Sequence, residues 1–126
     1  MTGEKKYFPI LKGESVGESG EFNGYAIIIS TPDDLKREWS NNEIAILKSD
    51  MEQYFNEHPR EIDHLFEKIS AVVAEFGESI GDFASFAQAR AAICLVKSTD
   101  ASFVLEDKMH ITIAASENLG EIYFID

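Results

Sequence analysis

With 126 residues, 44% of them hydrophobic and nine of them phenylalanine, the chain has the size and composition of one folded domain, which excludes disorder. Its 23 acidic against 11 basic residues leave a formal net charge of -12. That surface repels phosphate backbones and anionic lipid, so neither nucleic acid nor a membrane surface is expected as a partner.

The start, MTGEKKYFPILKG, lacks an apolar core of signal-peptide length, and the longest apolar run, Ala91 to Val96, is far too short to span a bilayer. The single Cys94 lies inside that run and has no partner for an internal disulfide, which fits a buried thiol in a reducing compartment. A soluble cytoplasmic protein is expected.

In chain order, residues 1–9 read as a flexible arm and 10–126 as a single domain. Gly13, Gly17, Gly20 and Gly24 punctuate the next stretch and predict tight turns before a β-branched strand, Tyr25 to Ser30. A phosphate-binding glycine run follows a strand and opens a helix, whereas this one opens a strand. Glu14, Glu18 and Glu21 match no calcium-loop spacing and read as solvated carboxylates. Thr31-Pro32-Asp33-Asp34 carries a capping hydroxyl, an early proline and early acids, predicting a helix to about Trp39.

Glu43 to Lys48 reads as a strand, Ser49 to Glu57 as a short acidic helix, and Pro59 as the start of a helix burying Ile62, Leu65, Phe66 and Ile69. Ser70 to Glu75 is apolar and bounded, the pattern of a strand covered on both faces. Gly77 and Gly81 then break the pattern, and Asp82 is a candidate N-cap for a helix with Phe83, Phe86, Ala87 and Arg90 on one stripe. Ile93 to Val96 resumes as a strand, completing a βαβ unit. Ser98 to Ala101 reads as a turn, and Ser102 to Leu105 has no assignable type. Met109 to Ala114 and Glu121 to Phe124 are the closing strands, with a turn at Leu119-Gly120.

Chemistry in a βαβ unit gathers at the strand-to-helix loop, here residues 76–82, and no obvious nucleophile stands there. His58 and His64 fall on helical surfaces, and His110 is on a strand face that can point into a cleft. None has a metal-binding or nucleophile-activating spacing. Glu75, Glu78 and Asp82 bracket the loop as caps or hydrated acids, and Arg90 closes a helix where the dipole favours a cation.

Taken together, GESGEFNGYAIIIS, EIAIL, ISAVVAE, the glycine loop, AICLV and MHITIAASENLGEIYF resemble, in order, the phosphohistidine domain of the phosphoenolpyruvate-utilising enzymes. The likeness covers residues 10–125. It implies an α/β swivelling β/β/α domain, a mixed sheet with a central βαβ unit and terminal β-hairpins. It also implies a phosphoryl-accepting histidine at the start of the helix, and the matching position here is Phe83 or Asp82. A benzene ring accepts no phosphoryl group, and Glu78, where the family has a second loop glycine, repels one. Ala84 and Ser85 keep the small-residue character of the family's helix.

The loop and helix residues Gly77, Glu78, Ser79, Gly81, Asp82, Phe83, Ser85 and Arg90 therefore outline the candidate site, with no confident catalytic residue, no metal and no cofactor. The implied function is a catalytically degenerate, stand-alone module that docks on another protein subunit and has no enzymatic activity of its own. Two alternatives stay open. One is a phosphoryl carrier acting in trans through Asp82, His110 or His64; the other is an aconitase-like small subunit that completes a hydratase site. Oligomeric state stays unassigned.

Overall fold

The computed structural model describes residues 8–125, so most of the expected N-terminal arm lies outside the described residues. Seven strands form the wall: β1 (Leu11–Ser15), β2 (Gly20–Ile29), β3 (Glu43–Leu47), β4 (Ala71–Ala74), β5 (Ile93–Val96), β6 (His110–Ala115) and β7 (Leu119–Phe124). They close into a barrel in the order β1-β5-β4-β3-β2-β6-β7, and β1 pairs with β7 to complete the ring. Strands β2 to β5 run parallel to their neighbours, while β1, β6 and β7 pair antiparallel.

This closure corrects the expected open sheet of a swivelling β/β/α domain. The strand-helix-strand piece from Ala71 to Val96 is one arc of a ring, not the centre of an open sheet, and the last two strands are part of the same wall. The physical reason lies in β1, which the sequence pattern presents as turns. Its residues hydrogen-bond on both sides, with Glu14 opposite both Val96 and Leu119, so no sheet edge is left there.

Side chains alternate across the parallel arc. Ala26, Ile44, Ile46, Ala71, Val73, Ile93 and Leu95 point inward and meet Ile111, Ile113 and Ile122 in an aliphatic filling. Ile27, Ile29, Ala45, Leu47, Val72, Ala74, Cys94 and Val96 point outward against the helices. Both faces are covered, which is why these strands read as continuous apolar runs.

The helices α1 (Glu52–Glu57), α2 (Arg60–Lys68) and α3 (Asp82–Ala89) supply that cover. Helix α2 buries Ile62, Leu65 and Phe66 at i, i+3 and i+4, the apolar stripe of its sequence. The helix expected after Thr31 is only a 3-10 turn, Pro32–Leu35, with Asp34 accepting from the Ser30 and Thr31 N–H groups at 2.8 and 3.0 Å. The stretch that defied assignment is a short helix, α4 (Ala101–Val104). With the residue that follows it, it puts Ala101 and Leu105 into the inner core and stoppers one end of the barrel.

One glycine shows how tightly the wall closes. A Cβ on Gly17 would land on the Ala92 carbonyl, where the chain leaves β1 beside the start of β5. Gly17→Ala is expected to destabilise the fold by about 1–3 kcal/mol, because backbone and not a flexible side chain must give way. Gly81→Ala, at extended backbone with ordinary contacts, is expected to stay within about 0.5 kcal/mol. Denaturant midpoints of the two variants measure the difference.

Candidate functional site

The carboxyl ends of β2 to β5 gather four connections at one end of the barrel, the place where parallel sheets expose backbone to ligands. Glu75, the first residue after β4, holds that end together. One of its carboxylate oxygens accepts the Ser49 N–H at 2.7 Å; the other accepts the Ser102 N–H at 2.8 Å and the Ser102 hydroxyl at 2.7 Å. The connection after β3 and the stopper helix α4 are thereby tied to the end of β4. Partial burial pushes the Glu75 carboxyl up, but the Ser102 and Ser49 donors and the nearby Lys48 charge outweigh it, leaving it below the ordinary value. Asp107 adds a second tie, accepting the Ile28 N–H at 2.9 Å.

The loop from Phe76 to Gly81 leaves this anchor with Gly77 at φ 109°, a left-handed conformation that a side chain would strain. Lys97, after β5, takes φ 56° and donates its N–H to the Phe76 carbonyl. Its ammonium stands 3.6 Å from Glu14 and 3.7 Å from Glu78. Ser79 and Ile80 are exposed, Ile80 at 93%. Gly81, not Asp82, occupies the N-cap of α3, and no side chain caps it. Asp82 is the first helical residue, with its carboxylate in solvent.

Phe83 is buried. Its ring meets Phe55 at 5.5 Å and Phe76 at 5.6 Å between centroids, both edge to face. Phe55 and Phe76 come from elements on either side of α2, so the ring at the helix start is a keystone between layers. Ser85 is exposed on the far side of α3. Arg90 lies at the other end of that helix, where its guanidinium forks onto Asp63 at 2.8 and 3.0 Å and reaches Glu67 at 3.2 Å. It ties α3 to α2 and is not turned to the loop.

Of the residues outlined from sequence, Gly77, Glu78, Gly81, Asp82 and Phe83 come together around a cleft of about 260 Å³. Glu52, Glu78 and Asp82 rim it, over a floor of Ile62, Phe76 and Phe83. The three candidate phosphoryl acceptors are not gathered. Asp82 is at this cleft. His64 stands 2.9 Å from Glu61 beside a different cleft, which contains Trp39 and Tyr54, and His110 stacks on Tyr25 at 4.5 Å on the antiparallel wall.

Two hydroxyl or thiol groups near the barrel end are sealed. Ser98 is fully buried, and burial pushes the Cys94 thiol far up. Among the described residues no group of three or more His, Cys, Asp or Glu side chains is placed to hold a metal ion. Sequence reading treated Glu75 as a cap or hydrated acid and missed its partners. The available signal was a lone carboxylate at the end of a strand buried on both faces.

No family model matches the chain, and no curated protein matches it. Among solved structures the chain is similar to diol dehydratase-reactivating factor in its nucleotide-free form, with a TM-score of 0.52 and 14% identity over 89% of this chain and 20% of that one. It is also similar to the microcin C7 self immunity protein MccF in the inactive mutant apo state, with a TM-score of 0.54 and 14% identity over 100% of this chain and 45% of that one. The chain thus spans less than half of either structure. At such identity the likeness is one of fold. No helix is long and apolar enough to cross a membrane among the described residues.

Because the folded Glu75 carboxyl ionises below its ordinary 4.5, its stabilisation is complete above that pH and is lost as pH falls through the folded value. Urea midpoints measured from pH 7 downward are expected to fall less steeply for Glu75→Gln than for the native chain. Phe83→Ala is expected to cost about 3–5 kcal/mol, the loss of a ring from a filled aromatic cluster. Calorimetry of the variant checks it.

Proposed function

We propose that this protein is a non-catalytic docking module, acting on another protein through the barrel end that carries Glu75. The observation that carries this reading is the exposure of Ile80 at 93% and Phe103 at 88% on two connections at that end. Large apolar side chains held out on one anchored rim suit burial against a partner. The anchoring matters as much as the exposure. Glu75 fixes the helix bearing Phe103, and the Lys97 contact steadies the loop bearing Ile80.

The chemistry available at the same end supports the non-catalytic half of the proposal. The ring of Phe83 fills the helix start, Ser98 and Cys94 are sealed, and Asp82 has no base or cation beside it. The barrel interior is packed with aliphatic side chains. One of the two fold neighbours is named as a reactivating factor for diol dehydratase, so a related architecture occurs in a protein named for its action on another.

Photo-cross-linkers placed singly at positions 80 and 103 in the producing cell are expected to trap one and the same discrete adduct, absent when the label sits at exposed Asn23. Failure of both positions to give an adduct overturns the docking reading. In parallel, purified protein incubated with labelled phosphoenolpyruvate or ATP is expected to stay unlabelled. A stoichiometric phospho-adduct on Asp82, His110 or His64 would establish a phosphoryl carrier instead.

A further inference from the structure

The cleft beside Ile80 has an unbalanced rim. Glu78 shares the Lys97 ammonium with Glu14, while Glu52 and Asp82 make no ion pair or side-chain hydrogen bond among the described residues. All three carboxylates are exposed, and beneath them Ile62, Phe76 and Phe83 present an apolar floor. An anion is repelled here, by the rim and by a chain of net charge -12. A purely apolar side chain would cover the floor but strip water from carboxylates it cannot pair.

A side chain with an apolar stem and a cationic head satisfies both parts, because lysine and arginine lay their methylenes on apolar surface and keep the charge at its edge. A volume of about 260 Å³ is below the usual range for small-molecule sites, roughly 300–1,000 Å³, which suits one long side chain better than a free ligand. Ile80 adjoins the cleft and supplies an apolar contact for the residues flanking that cation.

We propose that the cleft rimmed by Glu52, Glu78 and Asp82 receives a lysine or arginine side chain from a basic, leucine-rich segment of the docking partner. This rests on the docking reading above and adds the chemistry of the partner. The rim charges select the cation and steer its approach, and the floor holds its stem.

The test uses a synthetic peptide of alternating leucine and arginine, with a second peptide in which neutral citrulline replaces arginine. Amide shifts of the isotope-labelled protein on titration with the arginine peptide are expected to cluster at Glu52 and residues 77–82. The double variant Glu52→Gln/Asp82→Asn is expected to weaken binding about tenfold, the scale of two lost exposed ion pairs. The charge-matched variant Glu18→Gln/Glu117→Gln, at the opposite end of the barrel, is expected to change it less than about twofold, and the citrulline peptide is expected to bind native protein as weakly as arginine peptide binds the double variant.

Equal loss in both double variants, shifts away from the cleft, or equal binding of the two peptides overturns the proposal. If adducts still form from positions 80 and 103, that outcome removes the basic partner and keeps the docking reading. Peptide binding as expected with no cellular adduct removes the docking reading and leaves the cleft's cation selectivity standing.

Discussion

The double pairing of β1 is the constraint on which the rest of the structure depends. Five residues bond to β5 on one side and β7 on the other, and they convert what would be a sheet with two edges into a ring. Everything inside the ring follows from that closure. The inner positions of the parallel arc acquire partners in β6 and β7, and the interior becomes a filled core. The outer positions of the same arc are left to the helices. A strand with so few residues and two glycines or polar residues for each apolar one holds through its backbone bonds, not through its side chains.

That explains what could and could not be read from the amino acids. AVVA, ICLV and EIAIL announce themselves because both faces of β3 to β5 are buried. The stripe Ile62, Leu65, Phe66 announces α2 for the same reason. The segment LKGES carries no periodicity, since its role is to supply N–H and C=O groups to neighbours far away in sequence, so the ring read as an open sheet. The turn after Thr31 shows the opposite failure. Its capping signals are present, yet the chain stops after one turn, because the 3-10 segment buries none of its residues and gains nothing from continuing. The loop from 76 to 82 was legible as a break between strand and helix. What that loop is pinned to was not, because Ser49 and Ser102 reach Glu75 from 26 and 27 residues away.

The barrel end therefore combines two properties that usually compete. Its backbone is locked by a carboxylate with all three donors in place, and its outermost side chains are left without cover. Locked presentation lowers the entropy lost when a surface is engaged, so a modest apolar contact there counts for more than the same contact on a loose loop. The aromatic group formed by Phe55, Phe76 and Phe83 lies directly beneath. It gives the loop a rigid bed and removes the space in which a reacting group would have to stand.

Cys94 carries a different consequence. The sole sulfhydryl of the chain sits in the wall between the two cores with no solvent exposure. A maleimide added to the folded protein finds nothing to alkylate until the ring itself comes apart. The rate of reagent uptake is then a stopwatch for whole-molecule opening, and any cysteine engineered onto the surface can be tagged selectively without first removing the native one.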